Sequence, residues 1–95
     1  MSDDSHMIEG PNLITGATEI SFSIAKRSLV HLRIYSATGR LVRTLIDGDS
    51  LQGNQKASWN GRDDHGNTVV SGVYYYELAT DSENERYVKR MILVR

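Results

Sequence analysis

The chain contains no cysteine. Disulfides, thiolate nucleophiles and cysteine-ligated metals are therefore outside its chemistry. It carries no surplus of charge: 11 Lys and Arg stand against 12 Asp and Glu, a formal net charge of −1. The basic residues are scattered from Lys26 to Arg95 rather than gathered in one stretch. That pattern offers no footprint for a phosphate backbone, and nucleic acid is not expected as a partner. No apolar run approaches the roughly 20 residues of a helical membrane span. There is one proline, Pro11, and one tryptophan, Trp59. A chain of 95 residues buries only about 60–65% of its unfolded surface, so an enclosed pocket has little room.

Catalytic signatures are also missing. There is no G-x-S-x-G elbow. His65 and Asp64 are neighbours on a polar loop with no nucleophile beside them. His31 stands alone on a strand face, too isolated to propose as a metal ligand. The reading is no enzyme, no cofactor and no metal.

What the sequence does have is period two. In Thr18–Ile24 the apolar Ile20, Phe22 and Ile24 alternate with Glu19, Ser21 and Ser23. Val30, Leu32 and Ile34 alternate with His31, Arg33 and Tyr35. Successive strand side chains point to opposite faces, so both segments read as half-buried strands. The link Ala25–Ser28 reads as a hairpin connection. Ser36–Arg40 is a turn on Gly39, and Leu41–Ile46 a strand with a bulge. Asp47-Gly48-Asp49 opens a loop that Gly53-Asn54 closes, and Gln55–Trp59 is a short strand. Val73–Thr80 is dense in β-formers, with Tyr74, Tyr76 and Leu78 its inward set. Asp81–Glu85 reads as a charged hairpin turn. The last strand is Arg86–Val94, with Met91 and Leu93 in the core. Six or seven short strands with frequent turn signals predict an all-β, antiparallel, Ig-like β-sandwich. Residues 1–7 read as an expression tag or cloning remnant, which leaves 8–95 as one domain.

The most distinctive stretch is Trp59-Asn60-Gly61-Arg62-Asp63-Asp64-His65-Gly66-Asn67. Its glycines permit positive φ, and its Asx side chains can bond their own backbone. Trp59, preceding a tight loop and sharing a face with Ala57, is read as core rather than as an exposed sugar platform. Tyr35, Tyr75 and Tyr87 fall on outward faces and read as half-buried sheet packing, with a tyrosine patch as the alternative. Asp63, Asp64 and Asn67 offer oxygen ligands of the kind calcium takes, but lack the spacing of an EF-hand. Loop stabilisation by Asp63 is favoured, with calcium left as the alternative.

The order of motifs resembles a known superfamily: the Ig-like domains related to the C-terminal domain of the flagellar hook-capping protein and the type IX secretion C-terminal sorting domains. The resemblance covers about residues 10–95. It rests on Pro11-Asn12; Ile20–Ile24; Leu32–Arg40 with Thr38-Gly39; Leu45-Ile46-Asp47-Gly48; Trp59–Gly66; Ser71-Gly72-Val73-Tyr74-Tyr75-Tyr76; and Lys89–Arg95 at the end. Two departures stand out: Asn60 replaces the family's usual Asp, and Gly16-Ala17-Thr18 replaces a second proline.

The resemblance implies a non-catalytic C-terminal accessory domain of a secreted multidomain bacterial protein. Its implied role is secretion sorting or cell-surface attachment. Its implied partners are the secretion machinery or a surface component, together with the N-terminal domains of its own parent. Within the loop, Trp59, Gly61, Asp63 and Gly66 mark the family and hold the fold. On the closing strand, Lys89, Arg90 and Arg95 are the candidate recognition residues. A module binding polysaccharide or protein, and a structural spacer or assembly domain as in flagellar hook capping, are the alternatives.

Overall fold

The computed structural model describes residues 6–9, 12–82 and 86–95, the first four as backbone only. Among these residues six strands form: β1 (His6–Glu9), β2 (Leu13–Ile14), β3 (Thr18–Ser36), β4 (Leu41–Trp59), β5 (Gly72–Thr80) and β6 (Arg86–Leu93). No helix occurs among the described residues. One hydrogen-bonded path runs β1-β3-β5-β6-β2, with β4 paired, among the described residues, to β3 alone. All pairings are antiparallel except β2 with β6.

The register divides this path into two layers. Residues 18–24 of β3 lie between β1 and residues 53–59 of β4. Residues 28–36 of β3 lie between β5 and residues 41–51 of β4. The second layer continues through β6 to β2. Ile20, Phe22 and Ile24 from one layer share a single core with Val30, Leu32, Ile34, Tyr74, Tyr76, Leu78, Met91 and Leu93 from the other. Both halves of β3 can reach one core only if the sheet folds onto itself. The fold lies at the exposed Ala25–Arg27, where the register with β4 jumps between Ile24 and Ser28. Strands that switch sheets through such irregularities make the corners of sandwiches. The all-β Ig-like sandwich is therefore the observed fold.

Two connections expected as turns are corrected. Ala25–Ser28 is a corner inside one 19-residue strand, not a hairpin. Asp47-Gly48-Asp49 and Gly53-Asn54 lie within β4, also 19 residues long. The two strands bend together, so pairing survives the corner. Gly48 is the extra residue between Asp47, opposite His31, and Asp49, opposite Val30. Its φ of +89° suits a bulge that other residues enter only with strain. The bulge expected in Leu41–Ile46 is present as register shifts between Leu32 and Arg33 and between Ile34 and Tyr35. At the N-terminus, β1 and β2 add pairing that the alternation did not signal, and β1 begins at His6, inside the segment set aside as a remnant. In the β5–β6 connection Asp81 and Ser82 form a turn; Glu83, Asn84 and Glu85 lie outside the described residues.

The inward sets match the alternation: Tyr74, Tyr76 and Leu78 on β5, and Met91 and Leu93 on β6, are all buried. Leu32 sits at the centre of the second layer and is fully buried. Leu32→Ala is expected to lower the unfolding free energy by about 2–5 kcal/mol, read as a shift in urea midpoint. A midpoint within error of the parent would show that the two layers do not close over this residue.

Candidate functional site: the closing strand and the tryptophan loop

Trp59 ends β4 and is fully buried. Its ring meets Tyr74 edge-on, with centroids 5.8 Å apart at 62°, a favoured aromatic geometry. Its indole N–H donates to the Arg62 carbonyl at 2.9 Å. The tryptophan thus holds the loop from below and presents no stacking face. Burial raises the Tyr74 phenol above its ordinary pKa, against the opposing charge of Arg95. The Tyr74 hydroxyl donates to the Val70 carbonyl at 2.7 Å.

The loop is built by its own polar groups. One carboxylate oxygen of Asp63 accepts the N–H groups of His65 and Asn67, each at 2.9 Å. The Asp63 N–H donates to the Asn67 carbonyl at 2.9 Å. These bonds, Asn67's first, hold the Asp63 carboxyl below its ordinary pKa despite an opposing desolvation effect; His65 contributes both an N–H and a nearby charge. Gly66 takes a φ of +85° in open space. Among the described residues, no group of three or more His, Cys, Asp or Glu is arranged to hold a metal.

Asp64 has a role that sequence reasoning missed. Its N–H donates to the Val42 carbonyl at 3.0 Å, and its carboxylate accepts the Thr44 N–H at 3.1 Å. The same oxygen lies 3.6 Å from the Arg43 guanidinium. Asp64 therefore satisfies the outer edge of β4 as a short neighbouring strand would, which protects an edge from pairing with other chains. An acidic residue in a loop gives no advance notice of such a long-range bond. Between this loop and the β3–β4 turn runs an open groove bordered by Arg40, Leu41, Val42, His65 and Val69.

Gly61 is the most crowded of the described glycines. Its φ is +76°, and a Cβ there would stand 2.8 Å from the Gly16 carbonyl and 2.8 Å from the Arg95 guanidinium. Arg95 explains the crowding. Its guanidinium donates to the Gly61 carbonyl at 2.7 Å and to the Val69 carbonyl, and its backbone N–H donates to the Ser71 hydroxyl at 3.0 Å. One of the three candidate recognition residues is thus committed to fastening the last strand to the loop.

Lys89 and Arg90 are both exposed, but they belong to opposite faces of β6. Lys89 shares the face of Tyr87, Met91 and Leu93, opposite the buried Tyr76. Arg90 shares the outer face with Val88 and Ile92, opposite Tyr75. The loop and closing strand are brought together by Arg95; Lys89 and Arg90 lie apart from that junction. Tyr35, Tyr75 and Tyr87 are half-buried. Tyr35 and Tyr75 are directly paired across β3 and β5. His31 is not alone: its ring nitrogens lie 3.2 Å from Asp81 and 3.6 Å from Asp47.

Two glycines of the loop separate conformational cost from crowding. Gly66→Ala is expected to cost about 1–2 kcal/mol, the price of a left-handed L-residue. Gly61→Ala is expected to cost more, because backbone must also move. Equal losses in parallel denaturation curves would show that Gly16 and Arg95 do not crowd the Gly61 position. Asp63 supplies a pH test. Its depressed folded pKa means its stabilisation is present above the ordinary value of 3.8 and is lost as pH falls through the folded value. The stability gap between the parent and Asp63→Asn should therefore narrow as pH falls below that value. Thermal melts showing a constant gap down to acid would contradict this.

Solved structures of two proteins from Porphyromonas gingivalis share the fold. Dimeric latent PorU superposes with a TM-score of 0.76 at 21% identity, over 99% of this chain and 10% of PorU. PorZ, described as an essential bacterial surface component of the type-IX secretion system, superposes with a TM-score of 0.61 at 21% identity, over 97% of this chain and 12% of PorZ. The chain spans about a tenth of the length of either. No curated protein sequence matches it. The model of the FlgD Ig-like domain matches residues 10–84, which takes in the folded-over β3, the tryptophan loop and β5. The chain belongs to the FlgD Ig-like domain family.

Proposed function

We propose that residues 8–95 act as a non-catalytic C-terminal accessory domain of a larger bacterial protein that is secreted or held at the cell surface. Its role is secretion sorting or surface attachment, its partner the secretion machinery or a surface component, and its reading surface lies on β6. The observation that carries this is proportion. Nearly the whole chain superposes on about a tenth of PorU and PorZ, as expected of a module appended to other domains. PorZ is itself described as a surface component of a type-IX system. The family match favours a second reading, a spacer or assembly module of the flagellar hook-capping type.

Deleting the last strand would be a poor test. It would take Met91 and Leu93 out of the core and confuse lost folding with lost recognition. A fusion avoids this. The full chain joined to the C-terminus of a periplasm-directed fluorescent reporter, in a bacterium with a type IX system, is expected to carry the reporter to the surface or medium. Retention equal to that of the reporter alone would reject sorting and leave the spacer reading.

A further inference from the structure

The outer face of the second layer combines three features. The first is an apolar row. Leu13, Ile92 and Val73 are direct neighbours across β2, β6 and β5. Leu13 is 60% and Ile92 40% exposed, and Val88, further along β6, is 53% exposed. The second is an aromatic row beside it: Arg90 opposite Tyr75, and Tyr75 opposite Tyr35. The third is a difference among the cations. Arg33 is paired with Asp47 at 3.6 Å and Arg86 with Glu77 at 3.5 Å. Tyr35 also donates to Glu77, at 3.4 Å. Arg90 has no acidic partner among the described residues, yet it lies between Val88 and Ile92 on this face.

An arginine framed by aliphatic and tyrosyl side chains has the composition of a protein-interface centre, where aromatic residues and Arg are enriched. Its aliphatic stem can lie along the apolar surface while the charge waits for a counter-ion. Among the described residues, the negative charges Asp47 and Glu77 already face Arg33 and Arg86, so the face complements a carboxylate.

We propose that this outer face, centred on Arg90 with Val88, Ile92, Leu13 and Tyr75, is the docking surface of the domain. The occupant is a partner protein that presents a carboxylate framed by apolar side chains. This rests on the sorting reading above and sharpens it: recognition uses one face of β6, and Lys89, on the other face, takes no part.

The reporter fusion tests the assignment with single exposed substitutions, each checked for an unchanged melting temperature in the isolated chain. Arg90→Glu and Val88→Ser are expected to lower export by about tenfold or more, as for an interface centre. Lys89→Glu and Arg90→Lys should export within about twofold of the parent, since the first lies off the docking face and the second keeps the positive charge that meets the carboxylate. Loss with Lys89→Glu, alone or together with Arg90→Glu, would overturn the face assignment while leaving sorting intact. Loss with Arg90→Lys as deep as with Arg90→Glu would overturn the acidic partner. Retention of the unmodified fusion would remove sorting and the docking face together. Dimerisation of the isolated chain in sedimentation, abolished by Arg90→Glu, would assign the face to a second copy and overturn the proposal.

Discussion

The structure depends on two long strands bending together. β3 and β4 remain paired on both sides of the corner at Ala25–Arg27, and that bend brings Ile20, Phe22 and Ile24 over Val30, Leu32 and Ile34. A small domain has no surplus of apolar surface. Here one pair of strands supplies both walls of the core, and β5 and β6 need only extend one of them. The cost is a long edge, because among the described residues β4 pairs with β3 alone. The bulges along residues 41–51 and the Asp64 cap on Val42 and Thr44 act on that edge, and both are recognised ways of discouraging edge-to-edge pairing.

At one end of the sandwich a second constraint operates. The path from Trp59 to Gly72 contains no strand of its own, so its backbone must be satisfied locally or from elsewhere. Asp63 supplies the local bonds. Arg95 supplies distant ones, to the carbonyls of Gly61 and Val69, while the Val94 N–H donates to the Ile14 carbonyl at 2.9 Å. Loop, β2 and last strand therefore meet at one junction. The tightness of Gly61 follows from this convergence, and no local property of the loop would produce it.

Much of this was legible in the sequence. Alternation located the buried faces of β3, β5 and β6, because one-sided burial enforces period two. The corner was misread as a hairpin on composition, yet a signal was there. The buried residues 20, 22, 24, 28, 30, 32 and 34 are all even-numbered. A hairpin has no need to preserve that phase, whereas one bent strand keeps it. Asp47-Gly48-Asp49 misled in the same way: its residues suit a turn, and only the partner strand shows that Gly48 is a bulge. The roles of Asp64 and Arg95 were not legible, since each bonds residues at least 20 positions away. Long-range bonds from single side chains leave no periodic trace.

The closing strand shows why residue type alone did not define a site. Lys89, Arg90 and Arg95 look equivalent as a basic tail. The fold gives them three different situations: Arg95 is tied to backbone carbonyls, Lys89 is exposed on the core-facing side, and Arg90 lies in an apolar and tyrosyl outer face. The odd-numbered residues of β6 include the core pair Met91 and Leu93, so that face is fixed by packing. The even-numbered face carries no such duty. Val88, Arg90 and Ile92 could be polar without harm to the core; cross-strand pairing with Leu13 and Val73 accounts for Ile92, whereas Val88 stands opposite Glu77. A requirement outside the fold is the physical reason to look for a partner on that face.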